Sequence, residues 1–135
     1  MKLYVDKRLN LGHDKIDLIA NFCAFCADQL PINYPFQIHV VSDRDNHGIS
    51  TTAAYEVSKN TCKIYGKNRA LVDVCRSIAH EMTHMMQDEC GLLVGHIQDA
   101  GGFHEDQANA RAGELIKRFA KFKEQNRKIY EGLKI

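Results

Sequence analysis

Two histidines stand four residues apart in the stretch HEMTH, His80 and His84, with Glu81 directly after the first. Residues at i and i+4 of a helix project from the same side, so both imidazoles can offer a nitrogen to one Zn²⁺ with little distortion. Glu81 is rotated away from that pair, which suits it to accept a proton from a metal-activated water instead of filling the coordination sphere. Chance would produce this three-residue pattern about 0.02 times in a chain of this composition, so the motif needs support from its surroundings. A catalytic zinc ordinarily takes three protein ligands and keeps one position open. Glu105 follows His84 by 21 positions and opens the next helix. It heads an inward stripe of Glu105, Ala108, Ala112, Leu115 and Phe119, whose alanines let that helix lie close against the helix of His80. The neighbouring His104 is the alternative ligand, but it shares a side with Gln107, Arg111 and Arg118 that reads as solvated. The expected site is therefore His80, His84 and Glu105 on the metal, with Glu81 as the catalytic base.

The elements that must hold these residues can be read from period and punctuation. Ile16, Ile19, Ala20, Cys23, Cys26, Ala27 and Leu30 fall at helical spacing, and this predicts a helix over about 14–30, with Asp14 as N-cap, Asp17 adding negative charge to the first turn and Pro31 stopping it. Phe36, Ile38 and Val40 alternate with Gln37, His39 and Val41, which predicts a strand before the polar turn DRDNHG. ISTTAAYEV and TCKIYG, separated by SKN, predict a hairpin, so the sheet is expected to be small and mainly antiparallel. From Ala70 the period changes. Leu71, Val74, Cys75, Ile78, Met82 and Met85 share one helical face, His80 and His84 another, and Gly91 marks the end. LLVGHIQDAGG reads as a loop, and a last helix is expected from Phe103 to about Tyr130.

A chain of 135 residues with 44% hydrophobic content is the size of one domain with its own core. No repeat or linker calls for a second domain, so 1–135 is read as a single unit. Eighteen basic and 17 acidic residues leave no global field toward nucleic acid or an anionic membrane. No segment approaches the ~20 apolar residues of a membrane span, and the N-terminus lacks the apolar run of a signal peptide. Five cysteines are scattered through apolar segments, which suits a reducing compartment. The expected setting is cytoplasmic, with no membrane partner. Cys23 and Cys26 form a C-x-x-C, yet both belong to the apolar helix stripe and read as buried core thiols.

HEMTH, followed some twenty residues later by a glutamate on a second helix, resembles the gluzincin branch of the zinc metallopeptidases, above all its minimal single-domain members. A coarser similarity is to ImmA/IrrE-like and SprT-like domains. The resemblance covers Ala70 to about Leu115 in motif and the preceding helix and strands in arrangement. It implies a zincin-like α+β domain acting on a peptide or protein substrate. It also implies that the residue four places after Glu105, here Asn109 where an acidic residue is common, accepts a hydrogen bond from His80. An amide oxygen can fix the imidazole tautomer in this way without adding charge. A donor for the tetrahedral oxyanion is expected among His96, His104, Tyr55 and Tyr130, and ISTTAAYEV is expected to be an edge strand able to pair with a substrate backbone. The alternative function is a non-proteolytic regulatory or binding module whose zinc is closed off by a fourth ligand such as His104 or Cys90. Residues 115–135 carry seven basic and two acidic side chains, which would be the contact surface of a protease targeted to DNA. Such a patch is more simply helix-dipole compensation, so a nucleic-acid partner is not expected. Oligomeric state is left open.

Overall fold

The structure, a computed structural model, describes residues 1–93 and 102–131. In chain order the elements are strand β1 (Lys2–Val5), helix α1 (His13–Gln29), strands β2 (Gln37–Val41), β3 (Ala53–Glu56) and β4 (Thr61–Tyr65), helix α2 (Leu71–Glu89), and helix α3 (Phe103–Phe122) with a 3-10 segment after it (Glu124–Tyr130). The four strands form one sheet in the order β1-β2-β4-β3, so the class is α+β with a mixed sheet.

The expectation of a mainly antiparallel sheet is corrected here. β1 runs parallel to β2 and β2 parallel to β4; only β3 and β4 are antiparallel, as the predicted hairpin, with Ala53 opposite Ile64 and Glu56 opposite Thr61. There are two causes: β4, not β3, takes the place beside β2, and the strand β1 went unrecognised. Once KLYV pairs with β2, α1 becomes the crossover between adjacent parallel strands, because a parallel pair cannot be joined by a tight turn. The short β3 is left as the edge of the sheet.

Helix α1 begins one residue earlier than expected, with Gly12 as its N-cap and Asp14 already inside the first turn. Its face of Leu18, Ile19, Phe22, Cys23 and Cys26 is buried, and burial pushes the Cys23 thiol up to about 12 and that of Cys26 well above its usual value. These are inert core thiols, and all five cysteines are free. Helix α2 buries Leu71, Val74, Cys75, Ile78, Met82 and Met85 as its periodicity predicts. It ends in a Schellman motif: Gly91 takes φ +74°, its N–H donates to Asp88 O at 2.9 Å, and Leu92 N–H donates to Gln87 O at 2.8 Å.

The last helix is shorter than expected. α3 stops at Phe122, Lys123 is extended, and the chain turns back as the 3-10 segment. Asn126 drives this reversal: its buried side-chain amide donates to the free carbonyl of Phe119 at 2.9 Å, which lets Ile129 enter the core. Burying that side chain contributes on the order of 2 kcal/mol. Among the described residues no helix is long and apolar enough to cross a membrane.

Candidate metal centre

His80 and His84 lie on α2 and Glu105 in the first turn of α3, where a carboxylate is favoured by the helix dipole. The two helices pack closely because Ala108 and Ala112, both buried, face α2 beneath Glu105. His80 Nε2 lies 3.2 Å from His84 Nε2 and 3.1 Å from Glu105 Oε2, and His84 Nε2 lies 2.6 Å from Glu105 Oε1. Donors about 2.1 Å from a tetrahedral zinc stand roughly 3.3 Å apart. Two edges of this triangle match that spacing, and the third opens to it by less than 1 Å. The three donor atoms lie within 4.8 Å of one another, a cluster that could hold a metal ion.

Protonation supports the same role. Burial, followed by the neighbouring His84, holds His80 below its ordinary pKa, against the opposing pull of Glu105 and of a hydrogen bond with Asn109. His80 is therefore neutral at pH 7 and has a lone pair to give. The tautomer of His84 is fixed by a residue that motif reading passed over. Gln87, fully buried one turn further along α2, donates its amide N–H groups to His104 O at 3.1 Å and Gln107 Oε1 at 2.8 Å. A backbone carbonyl can only accept, so the remaining Gln87 oxygen must face His84 Nδ1, 2.8 Å away, and Nδ1 carries the proton. His84 Nε2 is then an acceptor facing another imidazole nitrogen and a carboxylate. Acceptors this close require positive charge between them, either a proton or a metal ion.

Glu81 stands in the same cleft but outside the cluster. The residue is only 8% exposed and its carboxyl makes no hydrogen bond among the described residues. Burial raises its pKa from 4.5 to about 7, with His84 pulling it down and Glu105 pushing it up. The cleft has a volume of about 670 Å³ and is walled on one side by Thr52, Ala53, Ala54 and Tyr55 of the edge strand and its approach.

The structure sorts the other expected residues. His104, the alternative ligand, is not in the cluster: its carbonyl serves Gln87, while its Nδ1 is buried with no hydrogen-bond partner among the described residues. The side it shares with Gln107, Arg111 and Arg118 is not simply solvated, since Gln107 bonds Gln87 and both arginines reach Gln29 at the end of α1. Asn109 meets His80 as the resemblance implies. Tyr55 lines the cleft, but its hydroxyl donates to Asp88 at 2.5 Å; burial and this carboxylate push its pKa up. Tyr130 is half-exposed on the 3-10 segment, away from the cleft, and His96 lies outside the described residues. Cys90, exposed after the end of α2, does not join the cluster either. Gln87 had one legible signal, a polar residue three places after His84 on the same helix. Its partners on α3 were not legible.

Compared with known proteins, the chain matches no family model, no curated protein and no solved structure. The site is read from its own geometry.

Proposed function

We propose that the chain is a zinc-dependent peptidase in which His80, His84 and Glu105 hold the metal and Glu81 is the general base. The observation that carries this reading is the convergence of three lone-pair donors in an open cleft beside a fourth, buried carboxyl that takes no part in the cluster. When bound, zinc would supply a Lewis acid that lowers the pKa of water and polarises a peptide carbonyl. Gln87 keeps His84 in the ligating tautomer, and Asn109 orients His80. Glu81 accepts the proton of the attacking water and returns it to the leaving amine, a role left to the one carboxyl among the described residues that lines the cleft outside the cluster. The edge strand β3 has small side chains, Ala53 and Ala54, that allow a substrate backbone to pair beside it. Among the described residues the cluster has three members, the number of protein ligands that a catalytic zinc ordinarily takes.

The test is Glu81→Gln. The amide is nearly isosteric but accepts no proton, so zinc content should stay near wild type while cleavage in a broad peptide library falls at least about 100-fold. Chelator-sensitive cleavage that persists in this variant would remove Glu81 from the mechanism.

A further inference from the structure

Toward the N-terminal end of α2 the same cleft changes character. The charged side chains lining it are Glu81 and Glu105 at the metal-binding end, then Arg69 and Arg76, with Ser77 between. Arg69 is half-buried and is held by neutral acceptors alone: Nη1 donates to Tyr65 O at 2.7 Å, and Nη2 to Asp73 O at 3.0 Å and Ser77 Oγ at 2.8 Å. A guanidinium has five N–H donors, so two, on Nε and Nη1, have no partner among the described residues. Nor does any described carboxylate pair with it. Asp73, whose charge Arg69 feels, gives its carboxylate to Arg76 at 2.9 Å. Arg44, stacked on the Tyr65 ring at 4.3 Å, adds repulsion. Burial already disfavours the charged form of Arg69. A partly desolvated cation that keeps unused donors on a cleft wall is a place where an anion gains more than it would in water.

We infer that this arginine end of the cleft is a carboxylate subsite, where Arg69 and Arg76 receive a carboxylate of the bound peptide, from an acidic side chain or from its own C-terminus. The inference rests on the peptidase reading and names its substrate class. Ser77 and Glu81 are four residues apart, about 6 Å of helix. An extended peptide covers roughly 3.3–3.6 Å per residue, so the recognised carboxylate lies about two residues from the scissile bond. The polarity of the cleft fits this placement, with acidic groups where a cation is to be held and basic groups where an anion is. Arg69 is pinned to β4 and α2 before any ligand arrives, so its part of the subsite is pre-formed.

The experiment uses zinc-loaded Glu81→Gln protein, which binds without turnover, titrated by NMR with two matched pairs of N-acetylated tripeptides. One pair is Ala-Ala-Ala as free acid and as amide; the other is Ala-Glu-Ala and Ala-Gln-Ala, both as amides. At least one acid should bind about 10-fold tighter than its neutral twin, and the pair that shows this tells a chain end from a side chain. Adding Arg76→Gln, an exposed change, or Arg69→Lys, which keeps the charge but loses the planar fork, should cut the preference to less than about 3-fold. Equal binding of acid and neutral twins overturns the subsite. So does no binding at 10 mM, and so does a preference that survives both arginine variants, since the carboxylate would then be seeking the metal. Wild-type protein that cleaves nothing while the arginine-dependent preference holds would remove the peptidase reading and leave the subsite standing.

Discussion

Glu81 makes a prediction about folding that needs no substrate. In the metal-free protein its carboxyl is buried and its pKa is raised from 4.5 to about 7. Below pH 4.5 the group is protonated in both folded and unfolded chains and costs nothing. As pH rises through 4.5 the unfolded chain releases its proton while the folded one keeps it, so stability falls until about pH 7, above which both are ionised and the loss is constant. The sign is opposite to that of a salt-bridged carboxylate. At 1.36 kcal/mol for each unit of pKa, the loss between pH 5 and pH 8 is on the order of 2–3 kcal/mol, a large part of the stability of a domain this size. Glu81→Gln is neutral at every pH and escapes it. Urea denaturation of both proteins in excess chelator should therefore show the variant gaining by that amount at pH 8 relative to pH 5. Adding zinc should narrow the gap, because a cation beside the carboxylate stabilises its ionised form. A gap that does not widen with pH would refute the claim that Glu81 is held in a desolvating pocket.

His80→Ala, His84→Ala and Glu105→Ala should each lose most bound zinc, measured by elemental analysis after dialysis, whereas His104→Ala should lose little because its ring is not in the cluster. Gln87→Leu should weaken zinc binding about 10- to 100-fold in competition with a chelator, since Gln87 is the described partner of His84 Nδ1 and fixes its tautomer. Wild-type affinity in that variant would remove Gln87 from the site. Tyr55→Phe should cost about 1 kcal/mol in urea denaturation and change turnover no more than a few-fold, because the hydroxyl is spent on Asp88. A hundred-fold loss of turnover without unfolding would instead return Tyr55 to the list of groups that touch the reacting carbonyl.

What the sequence by itself determined was local. The i, i+4 histidines and the intervening apolar period specified α2, the face its core residues bury and the side its imidazoles present, because helical geometry fixes those relations within a few turns. Glu105 was legible for the same reason: its own helix's stripe of alanines turned it inward. The hairpin β3–β4 and the buried C-x-x-C followed from short-range patterns too. Tertiary structure alone decided the rest. Whether β2 pairs parallel with β1 depends on a crossover through α1, and four residues of KLYV carry too little alternation to announce it. The end of α3 depends on Asn126 finding the Phe119 carbonyl and Ile129 finding space in the core, contacts that helix-forming residues nearby conceal. The last turn of α2 is the sharpest case. Gln87 reaches α3, Asp88 reaches β3 and Glu89 reaches the backbone of Asn33. Three adjacent polar residues thus tie α2 to three different parts of the fold. Their hydrogen bonds are specific only because packing brings each partner within 3.1 Å, a distance that no spacing along the chain encodes.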